Sequence, residues 1–145
     1  MAEKKILVLD ASVAVKWFTL EPLRDKALAI RNLYLDGKVE LEAPSLLLYE
    51  VSNALRYNPS FGIEDLKAVL SSLNDLQLTL HDLKEELAYK AAQVAYNFGI
   101  TFYDACYVAL AELRGGTLYT TDLKVVEDVS AEYVKHLSEF PTPAY

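Results

Sequence analysis

The chain alternates short apolar runs with longer segments in which apolar residues recur every three or four positions. Ile6-Leu7-Val8-Leu9 is a continuous apolar run that ends at Asp10, the form of a strand buried on both faces in a parallel sheet. Residues 12–19 read as a helix, and Pro22 opens a second helix that stops at Gly37. Residues 39–43 form a short strand closed by Pro44. Ser45 is placed to cap a helix running to Tyr57, halted by Asn58-Pro59, with Leu47, Val51, Ala54 and Leu55 on one face. Ile63, Leu66, Leu70 and Leu73 mark an amphipathic helix, and residues 76–80 alternate as a strand. Leu83, Leu87, Ala91, Val94, Ala95 and Phe98 define another helix, ended by Gly99. Residues 103–113 are nearly all apolar apart from Asp104 and Glu112, which predicts a central, buried helix. Gly115-Gly116 turns the chain into a strand at 117–121, and residues 132–137 supply a last one.

Strands alternating with helices predict an α/β fold, with a parallel sheet covered on both faces. In such sheets the functional site lies beyond the carboxyl ends of the strands, and Asp10 and Asp122 each follow a predicted strand directly. A length of 145 residues, with no repeat or linker, suits a single domain spanning 1–145. Cys106 is the single cysteine, so neither an internal disulfide nor a cysteine-based zinc site is available. That fits a reducing, cytoplasmic setting. The first apolar run is too short for a signal-peptide core, and no run approaches a membrane span. The formal charge of −7 argues against a protein that simply coats phosphates with cations.

Four of the 21 acidic residues sit where solvent exposure is hard to arrange. Asp10 lies between the buried strand and apolar Ala11, Val13, Ala14 and Val15; its alternative role is to cap the next helix. Glu50 is inside a core-facing helix, with Asn53 one turn on and on the same face. Asp104 lies in Phe102-Tyr103-Asp104-Ala105-Cys106-Tyr107, where Thr101 and Asp104 also have the spacing of a capping box. Asp122 follows Leu118-Tyr119-Thr120-Thr121 and can cap the next helix. Acids that converge cannot all stay ionised without a cation. Oxygen ligands without nearby histidine or cysteine select a hard ion, Mg²⁺ or Mn²⁺. The chemistry such an ion suits is attack of water on a phosphodiester.

Val8-Leu9-Asp10-Ala11-Ser12, Tyr49-Glu50-Val51-Ser52-Asn53-Ala54-Leu55, Tyr103-Asp104-Ala105 and Thr120-Thr121-Asp122, in that order, resemble the PIN domain family, and most of all its VapC-type toxins. The resemblance covers essentially the whole chain. It implies a three-layer α/β/α sandwich with a central, mainly parallel sheet of strand order 3-2-1-4-5. It also implies a divalent-metal-dependent ribonuclease whose acidic cluster is Asp10, Glu50, Asp104 and Asp122, supported by Asn53 and the hydroxyls of Ser12 and Thr121. The implied partners are RNA as substrate, a cognate antitoxin that blocks the site, and a second copy in a homodimer. A catalytically inactive PIN-like module for RNA binding or protein assembly is the alternative class.

Rival chemistries lack their residues. No glycine-rich nucleotide loop is present. An aspartyl-phosphate phosphatase would want an acid two residues after Asp10, where Ser12 stands, and a phosphorylated receiver would want paired acids at its first strand. His81 and His136 read as surface side chains and Cys106 as core packing. Lys16, Arg24, Arg56, Arg114 and Lys124 are candidates for phosphate contact, and Tyr49, Tyr103 and Tyr107 for base stacking or packing. Neutralising the four acids brings the formal charge from −7 to −3, so much of the acidity is assigned to one site.

Overall fold

The structure is a computed structural model that describes residues 3–141. Five strands form one sheet: β1 (Lys5–Leu9), β2 (Val39–Pro44), β3 (Thr79–His81), β4 (Thr117–Thr120) and β5 (Val134–His136). Their order is β3-β2-β1-β4-β5, and every pairing is parallel, as the resemblance implies. Successive side chains of a strand point to opposite faces. Leu7, Val8 and Leu9 are all buried, so both faces of the central strand are covered.

The covering helices are α1 (Ala11–Ala14), α2 (Arg24–Leu35), α3 (Leu46–Arg56), α4 (Ile63–Asp75), α5 (Glu85–Phe98), α6 (Phe102–Arg114) and α7 (Leu123–Val129). Helix α6 packs on β1, β2 and β4 and carries seven consecutive buried residues, Ala105 to Ala111, so the prediction of a central buried helix holds. Helix α5 lies against it, α2 packs on β2, and α1 packs on α3 and β4. The turn from α6 into β4 needs glycine for a steric reason. A Cβ on Gly116 would stand 2.7 Å from the Ile6 carbonyl oxygen. Among the described residues no helix is long and apolar enough to cross a membrane.

Six local expectations are corrected. The first helix is only one turn and passes into a 3-10 turn at Val15–Trp17, where the Trp17 indole N–H donates to the Ala27 carbonyl (2.9 Å) and fixes α2. Pro22 lies outside α2, which begins at Arg24 after Leu23 takes a left-handed φ of 67°. Arg24 holds that bend by donating to the carbonyls of Lys16 and Trp17. Ser45 does not cap α3; its hydroxyl donates to Asp82 Oδ1 at 2.6 Å. The third strand is shorter than predicted, because α4 runs to Asp75 and Gln77 turns at φ 52° before pairing begins. Helix α4 also buries Val69 and Leu73 rather than the whole predicted stripe; Ile63 is 70% exposed. Ala54 likewise points outward.

Candidate active site

The carboxyl ends of β1 and β4 are neighbours because the two strands pair, with Leu9 opposite Tyr119. The residues at and just beyond these ends, Asp10 and Thr120 to Asp122, therefore meet across a gap of over a hundred positions in sequence. Asp10 is half-buried and bonded on both oxygens. Ser12 Oγ and the Val13 N–H donate to Oδ1 (2.5 and 3.4 Å), and Thr120 Oγ1 donates to Oδ2 (2.5 Å). The network closes on the β4 side. The Thr121 N–H donates to Ser12 Oγ (3.0 Å) and the Asp122 N–H to Thr120 Oγ1 (3.1 Å). Two loops are thus tied into one rigid floor.

All the bonds to Asp10 are neutral ones. Burial pushes its carboxyl up to about 6, the hydroxyl and amide bonds offset only part of that, and the charge of Asp104 adds to the rise. Asp104, in the first turn of α6, is held above the usual carboxylate range by burial and by Asp122. Three acids are therefore close enough to feel one another in sequence: Asp10, Asp104, Asp122. Glu50 enters from α3. It accepts a hydrogen bond at Oε1 from the Tyr107 hydroxyl, 2.6 Å away, and Tyr107 feels the charges of both Glu50 and Asp10. Asp104, Asp122 and Lys124 line a cleft of about 120 Å³.

The capping roles are also present. Asp10, Thr101 and Asp122 are N-caps of α1, α6 and α7. Asp122 uses Oδ1 for the Lys124 and Val125 N–H groups, and Thr101 Oγ1 accepts from the Asp104 N–H. Capping and site placement coincide because helix N-termini lie at the carboxyl ends of parallel strands. Among the described residues, no three histidine, cysteine or acidic side chains converge in the conformations present as a ready metal cage. The donor set nonetheless fits a hard divalent ion in type: all oxygen, excess negative charge, and no cationic side chain bonded to Asp10 among the described residues.

Asn53 is exposed on α3 and lines a groove with Tyr49 and Arg56 rather than bonding Glu50. Thr121 contributes its backbone N–H, while the hydroxyl on Asp10 belongs to Thr120. Several candidate phosphate contacts are committed elsewhere. Lys16 is buried and pairs with Glu21, Arg24 binds carbonyls, and Arg114 pairs with Glu42. Lys124 stays at the cleft, exposed but paired with Asp128. Tyr49 and Tyr103 are 74% and 62% exposed, whereas Tyr107 is 2% exposed and unavailable to a base. Cys106 is buried and its thiol is pushed up to about 11 by burial and Glu50, so it packs rather than reacts. His81 is no free surface group: it hydrogen-bonds the buried Glu42 at 2.6 Å. Thr120 and Glu42 are the buried polar residues that the sequence left unmarked, and Tyr107, marked only for stacking or packing, proves to be the partner of Glu50.

Comparison with known proteins bears out the fold and gives the family. The sequence profile of the PIN domain matches residues 7–131. Over 130 residues the chain is 32% identical to a Pyrobaculum aerophilum protein named ribonuclease VapC3, covering 86% of this chain and 95% of that one. Among solved structures, a toxin–antitoxin complex from Klebsiella pneumoniae matches with TM-score 0.69 at 13% identity, covering 90% and 97% of the two chains. VapBC2 from Rickettsia felis, bound to a DNA fragment from its promoter, matches with TM-score 0.67 at 15% identity, covering 90% and 98%. With its sheet order, its acids at the strand ends and a profile match over most of its length, the chain belongs to the PIN domain family.

Proposed function

We propose that the protein is a divalent-metal-dependent endoribonuclease that hydrolyses RNA phosphodiesters through Asp10, Glu50, Asp104 and Asp122, and that it is the toxin of a toxin–antitoxin pair. The observation that carries the reading is Asp10. It is a carboxylate at the end of the central strand, bonded by hydroxyls, next to further acids, and held at about 6 by burial. A buried acid in that setting is completed by a cation. Family membership and the likeness to a protein named ribonuclease VapC3 support RNA as the substrate.

In this reading Asp10 and Asp104 hold Mg²⁺ or Mn²⁺ directly, and Glu50 and Asp122 hold its waters or a second ion. Such an ion supplies acidification of a water and neutralisation of charge on the leaving oxygen. Ser12 and Thr120 fix the direction of the two Asp10 oxygens. Asp122 spends Oδ1 on the first turn of α7 and keeps Oδ2 for the site. One carboxylate accepts the proton of the attacking water. Exposed Tyr49 and Tyr103 flank Glu50 and Asp104 and offer faces for unpaired bases.

The partners follow from the same reading. An antitoxin bringing an apolar helix finds a groove of about 590 Å³ between α3 and α4, lined by Leu48, Tyr49, Arg56, Leu66 and Leu70. Light scattering is expected to show a homodimer, and a monomer at micromolar concentration contradicts that part. The test of activity is RNA cleavage by the purified protein in Mn²⁺. EDTA is expected to abolish it, and Asp10→Asn or Asp104→Asn to slow it by more than about 100-fold. Cleavage by either variant at the wild-type rate overturns the assignment. RNA binding by the wild type with no cleavage in any divalent metal favours the inactive binding module.

A further inference from the structure

Glu50 is tied to α6 by a residue that no motif marks, one that also feels the charge of Asp10. Tyr107 stands one turn beyond Asp104 on α6, so the two side chains leave the same side of that helix. Their surroundings differ: Asp104 is half-buried at the site, while Tyr107 is 2% exposed. The phenol crosses from α6 to α3 and donates to Glu50 Oε1 at 2.6 Å. Glu50 lies at the margin of the buried stripe Leu47, Val51 and Leu55. Nothing else among the described residues bonds its carboxylate, so Oε2 is uncommitted. A glutamate left to itself samples many rotamers, and fixing it costs entropy each time a ligand binds. The bond from a ring locked in the core removes much of that freedom in advance.

We propose that Tyr107 is a positioning residue for the metal site: its hydroxyl holds Glu50 by Oε1 and leaves Oε2 free for the cation that Asp10 and Asp104 would hold. The inference rests on the metal-dependent reading of the four acids and adds to it a support that neither capping nor strand placement supplies. A ligand's bonded partner typically tunes metal affinity by about 10–100-fold. If the bond served only to satisfy a buried phenol, its loss would change stability and leave the metal alone.

The experiment is Mn²⁺ titration by calorimetry on the full chain, without RNA, for wild type, Tyr107→Phe, Glu50→Gln, the double variant and Asp10→Asn. Phenylalanine keeps the ring in the core and removes only the hydroxyl, and thermal melts in EDTA report folding separately. Tyr107→Phe is expected to weaken Mn²⁺ binding about tenfold. The double variant is expected to bind no more weakly than Glu50→Gln alone, because the tyrosine acts through that carboxylate. In cleavage assays kcat falls while KM for RNA stays. Wild-type Mn²⁺ affinity in Tyr107→Phe, or effects of the two substitutions that multiply, overturns the inference. If Asp10→Asn abolishes binding while Tyr107→Phe is silent, the metal site stands and the positioning role fails. If Asp10→Asn itself binds Mn²⁺ like the wild type, the metal-site reading fails with it.

Discussion

Two carboxylates at the central strands, Glu42 within β2 and Asp10 just beyond β1, are treated in opposite ways. Glu42, on β2, is 1% exposed. Burial alone would raise its carboxyl, but the bonds from Arg114 (2.9 and 3.2 Å) and His81 outweigh burial and hold it below the usual range. Asp10, at the end of β1, has neutral donors and neighbouring acids, and it is raised to about 6. Glu42 is complete within the folded chain. Asp10 has no cationic partner among the described residues, and in the proposed function a cation from outside completes it. That contrast, a carboxylate paired with cations against one bonded by neutral donors beside other acids, is the pattern that distinguishes a structural charge from a candidate functional one.

The comparison can be broken most forcefully on the Glu42 side. Arg114→Met leaves a fully buried carboxylate with His81 as its remaining partner. We expect a loss of about 2–3 kcal/mol in urea unfolding, at the low end for a broken buried pair because Arg114 itself is partly exposed. A loss near zero would make Glu42 no different from a surface acid. On the Asp10 side the sign reverses. Asp10→Asn is expected to stabilise the protein in EDTA at pH 7 by about 1–2 kcal/mol, the relief of a raised carboxyl less its lost hydrogen bonds. Thermal melts in EDTA measure it; a large drop in melting temperature would mean that capping dominates.

The pH dependence sharpens the same point. Asp10 binds its proton more tightly in the folded state, titrating near 6 against 3.8 for the ordinary group. Between those values the folded state carries more protons, so stability falls as pH rises. The penalty is absent below 3.8 and fully present above about 6. The stability gap between Asp10→Asn and the wild type should therefore open between pH 4 and 6 in EDTA. Saturating Mn²⁺ should close or reverse it, because a ligand bound only by the native state stabilises it. A gap that does not change with pH contradicts the raised carboxyl. The smallest effect is expected at Asp122→Ala, which removes the N-cap of α7 and should cost about 1 kcal/mol in the same melts.

The periodic segments were legible because local physics decides them. The continuous run Ile6 to Leu9 can only be a strand buried on two faces, and α6 is too apolar to lie anywhere but the centre. Asp10, Asp104 and Asp122 stood out because acids beside such segments need a reason. What stayed hidden depends on contacts distant in sequence. Thr120 and Thr121 are adjacent and chemically identical, and only the register of β4 against β1 decides whose hydroxyl meets Asp10. Tyr107 reads from the sequence as a tyrosine for stacking or packing, and its role as the partner of Glu50 appears only when the fold brings α3 to α6. Glu42 carried a readable signal, an acid within a strand predicted to be covered on both faces. Its compensation by Arg114, 72 residues away, was not readable. The Ser45 cap failed for the same reason, since Asp82 arrives from the end of β3 to take its hydroxyl.

The central claim is that Asp10 is the anchor of a cation site. The most direct test is calorimetric titration of Mn²⁺ into metal-free wild type and Asp10→Asn at pH 7, with circular dichroism confirming that both are folded. Saturable binding to the wild type is expected, with binding to Asp10→Asn weakened by more than about 100-fold or undetectable. Equal Mn²⁺ affinity in the two proteins, or no binding to a folded wild type, would contradict it.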